Sequence, residues 1–238
     1  MAARYYKYNG KKLPSVTTIT GQLDKPALTY WAAGCACDFI LNEIEENKYT
    51  GQEGPPGPRL IDANLLYPII ESARKEFRKV SAKALDIGSA VHEAIERYLK
   101  TGKEPQAPSD QVLSAFLAFL EWLEEWDTWE TLYTEHTVYG IDEDWMVDHS
   151  YAGMADWFVI LNGKRYVVDF KSSKGIYPEM VYQIAAYRAT DKSIEGCGIL
   201  RLDKETGLPQ WKDTSDTYEK DLEVFRILTQ LYYATHKF

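Results

Sequence analysis

Cysteine is scarce in this chain: Cys35, Cys37 and Cys197 are the only three in 238 residues. They are too few and too oddly placed for a disulfide framework, and a reducing, intracellular setting fits them best. Long apolar runs are missing as well. No stretch approaches the roughly 18–20 residues that a membrane span requires, and no membrane partner is expected. The opening MAARYYKYNGKK lacks the apolar core of a signal peptide. Internal repeats and low-complexity tracts are also absent. Basic charge is short overall, with a formal net charge of −9 and a pI near 5.1. The deficit is local: Glu121 to Asp148 holds ten acidic residues and no Lys or Arg, which leaves the rest of the chain at +1. Gly163 to Lys192 carries six basic and three acidic residues, and Met1 to Lys12 carries four basic and none acidic. The acidic total therefore argues against sequence-wide electrostatic binding of a polyanion but leaves room for a basic groove.

What is present is globular: 45% hydrophobic and 13% aromatic residues, on a length that supports one sizeable core with a helical elaboration. Leu13 to Ile19 reads as an extended entry followed by a turn. A helix is predicted from Pro26 to about Glu46, with Leu28, Trp31, Ala32, Cys35, Phe39 and Ile40 at helical spacing. Gly51 to Pro58 is a Gly/Pro-rich loop. Two helices are predicted next, over about Asp62 to Val80 and Ala82 to Lys100. Ser109 or Asp110 caps another that runs to about Trp126 with Val112, Leu113, Phe116, Phe119, Leu120 and Leu123 on one face. A strand over about Thr131 to Tyr139 leads into a hairpin. A helix over about Pro178 to Ala189 follows, then strands near Gly198 to Leu202 and Gln210. A last helix spans about Ser215 to Thr235, burying Leu222, Phe225, Leu228 and Tyr232. The expected fold class is α/β, a small mixed sheet flanked by helices with a helical N-terminal extension.

The hairpin carries the chemistry. In YAGMADWFVILNGKRYVVDFK, Asn162-Gly163 separates two apolar, aromatic-rich runs, the signature of a type I′ turn. Folding back there brings Asp156, early in one strand, beside Asp169, late in the next. Lys171 shares a strand face with Asp169 by the period-2 rule. Two carboxylates at one end of a sheet suit a hard divalent cation, and a nearby ammonium can offset charge on a phosphate. The plain alternative is two hairpin-end aspartates and an exposed lysine. Upstream, Gly88-x-x-x-His92-x-x-x-Glu96 puts His92 and Glu96 on one helix face, as a metal ligand with its orienting carboxylate or as a solvated pair, with Glu93 facing solvent. Gln183 and Tyr187, again i and i+4, and the adjacent Arg188 can contact phosphate or sugar, or simply pack.

In order, these elements resemble the RecB-type branch of the PD-(D/E)XK nuclease superfamily, over roughly Ala84 to Arg188. The match consists of G-x-x-x-H-x-x-x-E, an aspartate after the small-residue turn Ala152 to Asp156, D-x-K at Asp169 to Lys171, and Q-x-x-x-Y at Gln183 to Tyr187. An N-terminal echo, LPSVTTIT and DKPALTYWAA, looks most like mitochondrial genome maintenance exonucleases and their bacteriophage relatives. The resemblance implies one nuclease domain over residues 1–238 with a restriction-endonuclease-like sheet. Residues 1–110 would be its helical N-terminal part and possible arch, and 111–238 the core, served by the motif helix 82–100. It implies His92, Asp156, Asp169 and the Phe170 carbonyl as ligands of Mg²⁺ or Mn²⁺. Lys171 would be the catalytic lysine, with Asp156, Asp169 and Glu96 in the catalytic set. Gln183, Tyr187 and Arg188 would face substrate. Arg74, Lys75, Arg78 and Lys79 would be phosphate contacts of an arch that threads a strand, or else a solvated helix face.

The activity so implied is metal-dependent exonucleolytic hydrolysis of DNA from its ends, single-stranded DNA foremost, in recombination, repair or replication. A structure-selective endonuclease and a catalytically inactive DNA-binding module are the alternatives. Some members of the branch hold a four-cysteine iron–sulfur cluster, but this chain cannot supply four thiolates and none is expected. The implied compartment is the cytoplasm of a bacterial or phage-infected host cell. The acidic, Trp-rich stretch from Trp122 to Trp145 is read as a solvated surface, with a docking site for a basic recombination or replication protein as the other reading.

Overall fold

Asn162 and Gly163 adopt φ values of +46° and +82°, and they close a two-residue turn between β4 (Tyr151–Leu161) and β5 (Lys164–Lys171). Asn and Gly tolerate this left-handed backbone, which is why the sequence turns there. In the computed structural model, which describes residues 5–46, 63–141 and 149–236, that hairpin lies in the middle of a five-stranded sheet. The Gly51 to Pro58 loop and Trp145 lie outside the described residues. The chain divides into two compact units, Met1–Leu23 with Ile87–Phe238, and Asp24–Asp86.

The first unit holds a five-stranded sheet in the order β3-β4-β5-β6-β7. β3 spans Trp129–Gly140, β6 Gly196–Leu202 and β7 Pro209–Asp213. β5 and β6 pair in parallel across helix α5 (Pro178–Arg188), and the other neighbours are antiparallel. This is a mixed α/β arrangement with helices on both faces. On one face, α4 (Asp110–Leu123) and the last turns of α3 (Ala63–Thr101) pack Val91, Ile95, Phe116, Phe119 and Trp122 on Trp157, Val159, Val168 and Phe170. Ser109 caps α4, its hydroxyl accepting the Val112 amide. On the other face, α5, α6 (Tyr218–Thr235) and the short α1 (Val16–Thr20) pack Ile184, Phe225, Leu228, Val16 and Ile19 on Phe158, Val167 and Ile199. The expected stripe of α6, Leu222, Phe225, Leu228 and Tyr232, is buried throughout. On α4 the seam is rotated relative to the expectation: Leu113 is exposed, whereas Ala115 and Trp122 are buried.

The N-terminus contributes a strand pair, β1 (Tyr5–Tyr8) with β2 (Lys11–Pro14), of which only Leu13 and Pro14 fall in the expected extended entry. Ser15 then caps α1 by accepting the Thr18 amide at 3.0 Å, and it forms a lone bridge with Ala152 at the start of β4. The Pro-Ser-Val-Thr element is thus fixed against the strand that carries Asp156.

The second unit contains α2 (Pro26–Glu46) and the first part of α3 (Ala63–Thr101). The two helices predicted over about Asp62 to Lys100 are one helix of 39 residues. Ser81 and its neighbours include no Gly or Pro, so nothing ends the first helix before the second begins. Along α2, Leu28 is exposed, and Trp31, Ala32, Cys35, Phe39 and Ile40 are half-buried. Among the described residues, no helix is long and apolar enough to cross a membrane.

Candidate metal centre

The register of the hairpin fixes the site. Trp157 pairs with Val168, so one step further Asp156 falls opposite Asp169. The Asp156 carboxylate accepts the Phe170 amide at 2.7 Å through Oδ2, which leaves Oδ1 directed at His92 Nδ1, 3.5 Å away. The other imidazole nitrogen, Nε2, donates to the Phe170 carbonyl at 3.1 Å. His92 reaches this point from α3 because Val91 and Ile95 on either side of it are buried in the sheet-facing core. Gly88, one turn earlier, lets the helix come close: a Cβ there would stand 3.2 Å from Ser172 Oγ.

Asp169 is 1% exposed and Asp156 9%. Asp169 forms an ion pair with Lys171 and accepts a 3.4 Å hydrogen bond from Gln183 Nε2. Gln183 also donates to the Tyr187 hydroxyl at 2.9 Å. Gly153 lies inside β4 and not in the small-residue turn expected before Asp156. A Cβ on it would meet the Tyr187 ring at 2.5 Å, so this glycine admits the ring that buttresses Gln183.

Burial and charge together set the protonation states. Burial disfavours a charged His92, but the Asp156 carboxylate beside it, helped by Glu135, outweighs this and pushes the imidazole up to about 10. Burial pushes Asp169 up to about 6 against the pull of Lys171, with Asp156 adding to the rise. Burial likewise raises Asp156, yet His92 and Lys171 draw it below the usual carboxylate range. Lys171 is desolvated too, and the carboxylates of Asp169 and Asp156 nevertheless hold it above its ordinary value as an ammonium.

One residue of the site was not found from sequence. Glu135 on β3 places Oε1 3.9 Å from His92 Nδ1, and ligand atoms of His92, Glu135 and Asp156 all lie within 4.8 Å of one another. It arrives there through a left-handed backbone, φ +47°, rare and costly for a residue other than glycine. In sequence Glu135 was one of ten acidic residues in an acidic stretch, and only its strand position across from Asp156 could have singled it out.

The remaining candidates sit elsewhere. Glu96, one turn past His92, is ion-paired with Lys100 and is not among the converging ligand atoms. Glu93 is exposed. Arg188 is directed away from the carboxylates: its guanidinium lies 3.9 Å from the Tyr218 ring centroid and donates to the Ile194 and Ser215 carbonyls. Arg74, Lys75, Arg78 and Lys79 are exposed on the part of α3 that belongs to the second unit. Within it Arg74 pairs with Glu71, Lys79 pairs with Glu76, and Arg78 stacks on Phe77.

The donor set fits a divalent cation. Carboxylate and carbonyl oxygens suit Mg²⁺ and Mn²⁺, and the imidazole nitrogen favours Mn²⁺. A cation would take the place of one imidazole proton only, because Nδ1 faces Asp156 and Glu135 while Nε2 faces the Phe170 carbonyl from the opposite edge of the ring. No family model matches this chain, and no curated protein does. Solved structures do match; one of them, the crystal structure of SSO0001, is 17% identical over 60% of this chain and 72% of that one, with a TM-score of 0.29. A likeness that loose carries no argument about the site.

Proposed function

We propose that this protein is a metal-dependent deoxyribonuclease on a restriction-endonuclease-like sheet, acting on DNA ends with single-stranded DNA as its substrate. The observation that carries this reading is the convergence, at one end of the β4–β5 hairpin, of His92, Asp156 and the Phe170 carbonyl, with the Asp169–Lys171 pair alongside. His92, Asp156, Asp169 and the Phe170 carbonyl would hold Mg²⁺ or Mn²⁺, and Glu135 stands close enough to join them. The bound cation would polarise the phosphate and acidify a water.

The chain's own residues account for the rest. Lys171, kept protonated by two carboxylates, acts as a donor and a fixed positive charge toward a phosphate oxygen and not as a base. Asp169, held by Lys171 and Gln183, presents a fixed carboxylate edge. In the reaction a water oxygen bonds to phosphorus in line, the bond from phosphorus to the 3′ oxygen breaks, and the departing oxygen takes up a proton. A 5′-phosphate remains on the product.

The test uses end-labelled linear and circular single-stranded DNA with Mg²⁺ or Mn²⁺, for the wild type and for Lys171→Ala and Asp169→Asn. Loss of linear but not circular DNA, absent in both variants while their circular dichroism is unchanged, is the expected result. Cutting of circles would make the enzyme an endonuclease, and cutting that survives both substitutions would remove this site from the reaction.

A further inference from the structure

The strand that delivers Glu135 also exposes an aromatic pair. Tyr133 and His136 lie on β3, the edge strand of the sheet, and their rings stack with centroids 4.8 Å apart and planes inclined by 29°. Residues three apart on a regular strand point to opposite faces. The left-handed Glu135 between them breaks that alternation. One backbone irregularity therefore does two things: it turns a carboxylate toward His92, and it lets two rings stack. Both residues are exposed, Tyr133 to 56%. Each ring also meets the edge of Phe158, at 6.3 Å for Tyr133 and 6.0 Å for His136. Phe158 is itself buried, so the exposed stack rests on a rigid support.

The position of this stack gives it a use. Phe158 is two residues from Asp156 on β4, hence on the same face and about 7 Å along the strand. Resting on the proposed nuclease reading of that site, we infer that Tyr133, backed by His136, is a stacking platform for an unpaired base of the nucleotide whose phosphate lies at the metal centre. A flat ring held by a second ring has little rotamer freedom left to lose, so a base can stack on it at small entropic cost. Stacking is tolerant of base identity but needs a base face free of its neighbours. The platform therefore selects single-stranded or frayed ends without reading sequence.

Fluorescence anisotropy of a labelled oligothymidylate in EDTA reads binding without turnover, and cleavage of the same oligonucleotide with Mn²⁺ runs in parallel. Tyr133→Ala is expected to weaken binding by at least about fivefold, the lower end of what one base–aromatic stack contributes. Tyr133→Trp retains affinity, and His136→Ala shifts it in the same direction as Tyr133→Ala. On an oligonucleotide of abasic nucleotides, wild type and Tyr133→Ala converge. Equal affinity of wild type and Tyr133→Ala for oligothymidylate overturns the platform, and cleavage by the wild type in that experiment leaves the nuclease reading standing. A loss of the same size on the abasic oligonucleotide also overturns it, because the tyrosine would then act on the fold and not on a base. Binding that depends on Tyr133 without cleavage by the wild type upholds the platform and sinks the nuclease reading. A wild type that neither binds nor cuts sinks both.

Discussion

Asp156 shows how one side chain can be given two tasks: Oδ2 is fixed by the Phe170 amide, and Oδ1 is left for His92. That arrangement would make the proposed metal site a proton trap when no cation is bound. With His92 pushed up to about 10, the imidazole is charged at neutral pH, and a cation must displace its proton to reach nitrogen. The sign follows: raising the pH toward 10 lowers the competition, so apparent Mn²⁺ affinity rises with pH, by up to about tenfold per unit. The same shift adds stability to the metal-free fold that is complete below about pH 6.5 and is lost as the pH rises through about 10. Isothermal titration with Mn²⁺ at about pH 6.5 and about pH 8 checks the binding trend, and a flat profile would mean that His92 is not a ligand. At the higher pH, Glu135→Gln is expected to weaken Mn²⁺ by roughly tenfold or more, the usual effect of losing a carboxylate next to a ligating imidazole. Unchanged affinity would reduce Glu135 to a strained bystander.

At the scale of elements, the site depends on close approaches that small residues permit. β4 passes beneath α5 at Gly153, where Tyr187 fills the space that a side chain would take. Because that ring is buried and bonded to Gln183, it cannot simply swing away. Gly153→Ala is expected to cost about 1–3 kcal/mol, the range for overpacking a close-packed interior. Thermal unfolding should show the loss, together with a reduction of the proposed nuclease activity as Gln183 and Asp169 shift; a variant with wild-type stability would show that the ring is free to move. The other face is held by the aromatic packing of Phe119, Trp122, Trp157 and Phe170, whose ring centroids lie 5.7 to 6.3 Å apart. Through Phe170 this core sets the height of the carbonyl and amide that face His92 and Asp156. Sequence periodicity was sufficient for most of these elements. It failed for α3, where a junction at Ser81 was inferred although the local chain carries no helix-breaking residue.

For the molecule as a whole, charge is sorted by location. Glu121, Glu124, Glu125, Asp127 and Glu130 are exposed, while Trp122 among them is buried and Trp126 half-buried. Trp122 and Trp126 therefore serve the core, whereas Trp129 is exposed beside the acids, which form a solvated face. A basic partner docking there is a proposal that charge reversal at Glu124, Glu125 and Asp127 addresses: capture of such a partner should fall several-fold in higher salt and in the variant alike. Capture that ignores both would remove this face from consideration.

Local rules were enough to find the hairpin, since Asn162-Gly163 selects its own turn and the period of two then dictates which carboxylates meet. The 3.6-residue spacing likewise put Gln183 and Tyr187 on one face, and His92 and Glu96 on another whose surroundings it left open. By itself the sequence thus determined the mixed sheet, the meeting of Asp156 with Asp169 and the placing of Lys171. Only the tertiary structure brought in Glu135, occupied Arg188 with Tyr218, and stacked Tyr133 on His136. Each of these depends on a partner distant in the chain or on a single left-handed residue. Neither leaves a periodic trace in sequence, because register and backbone strain are decided by the packing of the whole sheet and not by the residues next door.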